Sequence, residues 1–177
     1  MDVMFPLGHR PGGSKAFDLP PGRTEHSFDA SPAVAGTIVG LGGHIHDYGV
    51  GLALTDITAG RTLWHGTPLR DSAGHVLSMP VSTFFNWHRL GLHVEPTHCY
   101  RVTVTYDNPT GRLIRNGGMG AVGGVLVPDR GVRWPRVDPA DSLYRTDLRA
   151  TLRLDAGTQS DMMDMDDGGG TMRAMRP

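Results

Sequence analysis

The sequence predicts an all-β fold, an antiparallel jelly-roll-like β-sandwich, and three observations carry the prediction. The 25 glycines and 13 prolines make up about a fifth of the 177 residues, and they fall in short clusters between apolar runs, as turns do in an all-β chain. Residues 100–107 alternate strictly, with Tyr100, Val102, Val104 and Tyr106 on one face and Arg101, Thr103, Thr105 and Asp107 on the other. No stretch shows the sustained 3.6-residue period of a long helix. A chain of this length suits one core with tails.

The elements follow in order. Residues 1–22 are rich in Gly and Pro and end in LPPG, which predicts an irregular N-terminal segment. The sandwich is expected over 23–155. It opens with a short strand in RTEHSFD (23–29) and a buried, β-branched strand in VAGTIVGL (34–41). The stretch HIHDYGVGLALTDI (44–57) is expected to be extended, with a bulge or bend at Gly49 and Gly51. Gly60 marks a turn into RTLWH, and DSAGH (71–75) a second turn before VLSMPV. The alternating strand at 100–107 closes on the Asn-Pro-Thr-Gly turn. AVGGVLVP supplies a last apolar strand ending at Pro128. Leu143, Leu148 and Leu152 fit either a short helix or a strand. Residues 156–177 lack the bulky aliphatics that offset ordering entropy, and a disordered tail rich in Met and Asp is expected.

Composition excludes several function classes. The formal net charge is −1 and the arginines are dispersed, so no phosphate-tracking stripe exists and nucleic acid is not an expected partner. No apolar run approaches the about 20 residues of a membrane helix, so membrane insertion is not expected and the chain reads as soluble. The start lacks the basic and apolar regions of a signal peptide. Met1 and Met4 read as internal positions of a longer frame, which leaves the compartment open and an exported origin compatible. The lone Cys99 cannot form an internal disulfide. No phosphate loop, dinucleotide fingerprint or Ser-His-Asp set is present.

The chemistry-bearing constellation is His44, His46 and Met119. One residue apart on a strand, the two histidines leave the same face about 6 to 7 Å apart and can converge on one ion, while Ile45 points the opposite way. Glycines at 42, 43 and 49 flank the pair. Met119 sits in NGGMGAVGG, where a thioether is presented by glycines rather than packed among apolar neighbours; the other reading is a gap-filling core methionine. Two imidazoles with one soft sulfur select copper, particularly Cu(I). His26 is either a further ligand or a structural histidine, and the structural reading is preferred. His9, His65, His75, His88, His93 and His98 have no ligand spacing and are taken as structural or exposed. Cys99 lacks the nearby His and Met of a blue-copper loop. The tail methionines 162, 163, 165, 172 and 175 alternate with aspartates and can be either a loose Cu(I) trap or a low-complexity acidic tail.

The order GGHIHDYGVGLAL, a hairpin-rich middle, HCYRVTVTYDNPTG and NGGMGAVGGVLVP resembles the C-terminal copper domain of the copper type II, ascorbate-dependent monooxygenases, the family of peptidylglycine α-hydroxylating monooxygenase and dopamine β-monooxygenase. The resemblance covers roughly residues 23–128. It implies an antiparallel jelly roll with copper held by His44 and His46, matching the family's His-x-His pair, and by Met119, matching its methionine. The family enzymes also have a second jelly roll that binds another copper through three histidines, and disulfides, none of which this chain contains.

Three functions are therefore expected in order: a copper-binding domain for copper binding, carriage or sensing; an oxygen-activating monooxygenase domain or subunit, incomplete without a second copper domain supplied by a partner; and a metal-free protein-interaction module.

Overall fold

The computed structural model describes residues 2–6, 16–86, 89–136, 138–142, 144–146 and 148–149. Among these residues the strands are β1 (Asp2–Pro6), β2 (Phe17–Leu19), β3 (Gly22–Ala30), β4 (Gly36–Ile45), β5 (Gly49–Asp56), β6 (Arg61–Gly66), β7 (Leu69–Arg70), β8 (Val76–Ser78), β9 (Ser82–Thr83), β10 (Phe85–Asn86), β11 (Arg89–Leu90), β12 (Leu92–Val94), β13 (Tyr100–Asn108), β14 (Ile114–Gly118) and β15 (Gly120–Pro128). The fold is all-β and every pairing is antiparallel.

Two sheets make the sandwich. One runs β1-β15-β4-β12, with β9 also on β4; the other runs β3-β13-β5-β6. Their inner faces share one core, to which Ile38, Leu41, Ile45, Val122 and Leu126 contribute from the first sheet and Leu52, Leu54, Trp64, Val102, Val104 and Tyr106 from the second. The alternation at 100–107 behaves as expected: Tyr100, Val102, Val104 and Tyr106 are all buried. Each such side chain taken out of water contributes roughly 1.5–3 kcal/mol.

A bulge decides which way the histidines face. Leu126 pairs with Ile38 and Val125 with Gly40, so Val39 is an extra residue in β4. The bulge shifts the inward phase from Gly36 and Ile38 to Leu41, Gly43 and Ile45, and it leaves residues 42, 44 and 46 on the outer face. Gly43 is glycine because a Cβ there would come within 2.6 Å of Leu52 and 2.9 Å of Met79.

Several expectations are modified. The segment expected to be irregular contains β1, paired along β15, and β2, paired with β14. The strand predicted to stop at Leu41 continues through Gly42 and Gly43 to Ile45, so His44 and Ile45 belong to β4 rather than opening a new strand. The turn at 46–48 then carries the chain from one sheet to the other. The bulge expected near Gly49 and Gly51 is present, as a register shift between Thr105 and Tyr106 where they meet these glycines. Gly60 and Gly74 take positive φ in the two expected hairpin turns. Of the two options left open for the C-terminal stretch, helix is found at 142, 144–146 and 148–149, capped by Asp141, whose Oδ1 accepts the Tyr144 N–H at 2.8 Å. Chain contacts define two compact units: the sandwich runs to Arg136, and these helical residues belong to the other unit. The tail at 156–177, His9 and His88 lie outside the described residues.

Asn108 closes β13 with a polar staple. Its buried Nδ2 donates to the carbonyls of Leu19, Pro20 and Arg112 at 3.1, 3.1 and 2.8 Å, and its Oδ1 accepts from the Thr110 N–H and hydroxyl. Removing it strands buried carbonyls. Asn108→Ala is expected to lower unfolding free energy by about 3 kcal/mol in chemical denaturation; a loss below about 1 kcal/mol would contradict the role.

Candidate metal centre

His44 and His46 leave the outer face of the first sheet at the end of β4, with Ile45 buried between them. The neighbours on that face are small. Ala121 pairs with His44, and Gly123 pairs with Gly42. The ring centroids lie 5.2 Å apart at 86°. Two imidazoles sharing an ion through bonds of about 2.0 Å, at a near-tetrahedral angle, have centroids about 5 Å apart. The pair therefore has the separation that joint coordination requires.

Met119 joins the same end of the sheet through its main chain. The β4–β15 ladder ends at Ile45 with Gly120, so Met119 stands next along the chain, across from His46. There the two strands are bridged by a side chain from the other sheet. The Tyr106 hydroxyl oxygen accepts the His46 N–H at 3.0 Å and the Met119 N–H at 2.9 Å, and its own proton is donated to the Met119 carbonyl. Both nitrogens are thus bound to one oxygen and lie within about 6 Å of each other. Tyr106 is fully buried, and burial pushes its phenol pKa up, against the opposing hydrogen bonds to Met119 and His46. It remains a neutral hydroxyl able to donate and accept.

The electrostatics suit a neutral ligand. Burial, followed by the neighbouring charge of His44, lowers the His46 pKa; a hydrogen bond from the ring to the Gly117 carbonyl and the charge of Asp47 oppose this without reversing it. His44 is exposed and His46 and Met119 half-buried. This donor set fits copper in its softness.

The other described histidines have separate partners. His26 stacks on Phe17 at 4.0 Å, a packing role. His75 bonds Asp71 at 2.8 Å, His93 bonds Asp129 at 2.9 Å and His98 bonds Asp56 at 2.8 Å; His65 lies over Gly51, which has no side chain to obstruct it. Among the described residues no group of three or more His, Cys, Asp or Glu side chains converges as a metal cage, so the candidate centre depends on the thioether of Met119.

The sequence reading missed Tyr106 at this centre and, at the opposite end of the same sheet, the bond between the buried Asp56 and the part-exposed His98. Tyr106 carried a signal, because an inward-facing tyrosine must place its hydroxyl on a partner. Burial pushes the Asp56 carboxyl up, yet the His98 hydrogen bond, the Ala59 N–H and the charges of His98 and Arg61 together bring it below the usual range. Asp56 thereby ties the β5–β6 turn to the loop before β13.

No protein-family model and no curated protein matches the chain. Among solved structures, a chain of infectious bursal disease virus, Gx strain, matches at 11% identity and a TM-score of 0.26, covering 89% of this chain and 49% of that one. A chain of the Gt strain of the same virus matches at 14% identity and a TM-score of 0.17, covering 89% and 48%. This chain thus spans about half the length of those it matches. Likeness of this degree carries no argument about function, and the comparisons neither support nor oppose the resemblance to copper monooxygenases.

The shift at His46 has a definite sign. Its folded pKa lies below the unfolded value of about 6.5, so the unfolded chain takes up this proton more readily. Its contribution to stability is complete above about pH 6.5 and declines as the pH falls. Histidine NMR titration of the metal-free protein should show His46 titrating below the usual imidazole value; titration at or above that value contradicts the geometry.

Proposed function

We propose that this chain is a copper-binding β-sandwich domain, with His44, His46 and Met119 as the ligands, serving copper binding, carriage or sensing. The observation that carries the reading is the pair of outward imidazoles 5.2 Å apart, next to a methionine whose main chain shares the Tyr106 hydroxyl with His46. The resemblance to the copper domain of the ascorbate-dependent monooxygenases supports the same three residues.

In this reading each residue has a separate task. His46 is biased toward its neutral form by burial. His44, at the surface, is the first donor an incoming ion meets. Met119 adds a polarisable sulfur that favours Cu(I) over Cu(II) and discriminates against calcium and magnesium, which require oxygen ligands. Copper held there would supply a redox-active centre at the open face of the sheet. Oxygen activation of the monooxygenase kind would require a second copper domain from a partner, and the present residues support binding rather than turnover. No helix among the described residues is long and apolar enough to cross a membrane, and a membrane-inserted partner is not proposed.

A competition titration with a Cu(I) chelator and a parallel Cu(II) titration test the reading. Met119→Ala should weaken Cu(I) about tenfold or more while leaving Cu(II) within about threefold. His44→Ala and His46→Ala should each remove most affinity for both oxidation states, and His75→Ala, whose imidazole is committed to Asp71, should change little. A folded wild-type protein that fails to bind Cu(I) would sink the proposal and leave the metal-free interaction module as the reading.

A further inference from the structure

We propose that Tyr106 is the positioning residue that gives this centre its preference for Cu(I), by fixing the distance between the strand that carries the histidines and the loop that carries Met119. This deepens the proposed function and rests on it. Three features point to Tyr106. First, main-chain pairing between β4 and β15 ends at Ile45 and Gly120, and the junction continues through the phenol oxygen, which holds the His46 N–H, the Met119 N–H and the Met119 carbonyl together. Second, Met119 is the residue between two ladders, after Gly118, which pairs with Phe17, and before Gly120, which pairs with Ile45, and its own N–H and carbonyl are met by the phenol.

Third, the tether is rigid. Tyr106 belongs to the central strand of the opposite sheet, its ring is fully buried, and the Phe17 ring meets it edge-on at 5.8 Å. Phe17 also seats the Met119 loop directly: a Cβ on Gly118 would come within 2.2 Å of its ring. The half-buried Phe17 and the buried Tyr106 and Gly118 thus form a stop against which the methionine segment rests. His44 is held in β4 by its pairing with Ala121, whereas His46 follows the last residue of the strand, Ile45, and is tied through its N–H to the same phenol oxygen as Met119. Met119 is bound to the phenol through both its N–H and its carbonyl, and His46 through its N–H alone, so loss of the hydroxyl should displace the thioether segment more than the imidazole pair.

Tyr106→Phe keeps the ring and removes the hydroxyl. In the metal-free variant, amide hydrogen exchange at His46 and Met119 should accelerate about tenfold or more while that of Val102 stays unchanged. Cu(I) affinity should fall about tenfold or more, as for other groups that orient ligands, with Cu(II) affinity within about threefold. Val104→Ala, buried on the same strand away from the site, is the control and should leave both affinities within about threefold. Where Tyr106→Phe does not fold, Phe17→Leu loosens the seat without deleting the hydroxyl and should reduce Cu(I) affinity alone, by about threefold. Unchanged Cu(I) affinity, equal losses for both oxidation states, or the same loss in Val104→Ala overturns the positioning role while leaving the copper site standing. Absence of Cu(I) binding in the wild type overturns the site and this role together.

Discussion

A buried phenol must place its hydroxyl on a partner, and in this protein that requirement couples the two sheets. Tyr106 projects from the central strand of one sheet to the point where pairing in the other runs out, and it satisfies two N–H groups and a carbonyl there. Without it, the part-buried N–H groups of His46 and Met119 and the Met119 carbonyl would lose this partner. The neighbouring turn is held by the same logic. Tyr48, at positive φ, donates its N–H to Gly74 and accepts from the Asp107 N–H, and the Asp47 carboxylate takes the Val76 N–H at 2.8 Å. The loops that follow the histidines are therefore anchored on several sides, so the outer-face histidines stand on a fixed frame.

The parts of this fold that were legible in the sequence are those where one local rule governs. The alternation from Tyr100 to Tyr106, the glycine turns at Gly60 and Gly74, and the apolar run at 121–128 needed no long-range information. The candidate ligands were legible for the same reason, since a His-x-His pair on a strand shares a face whatever surrounds it. Which face they share was not legible. Val39 is apolar like its neighbours, and nothing in VAGTIVGL marks it as the bulged residue; without that extra residue His44 and His46 would point into the core. The strands at Asp2–Pro6 and Phe17–Leu19 were missed because they are stabilised by their partners, β15 and β14, rather than by their own composition. His26 could be weighed only in general terms until Phe17 was seen to stack on it.

The remaining histidines sharpen the chemistry of the candidate centre. His75, His93 and His98 each have a carboxylate partner, and the charge pair at His75 and Asp71 raises the imidazole and lowers the carboxyl. The pair at β4 differs in kind. Its rings meet edge-on, and the more buried ring is biased toward the neutral form. A hard cation would find no oxygen cage among these side chains, whereas a soft ion would find two imidazoles and, from Met119, one sulfur.

The central claim is that one thioether and two imidazoles meet at a single ion, and X-ray absorption at the copper edge of the Cu(I)-loaded protein tests it most directly. The account predicts a first coordination shell containing two imidazole rings and one sulfur. A shell of imidazoles with no sulfur, or one with a single imidazole, would contradict it.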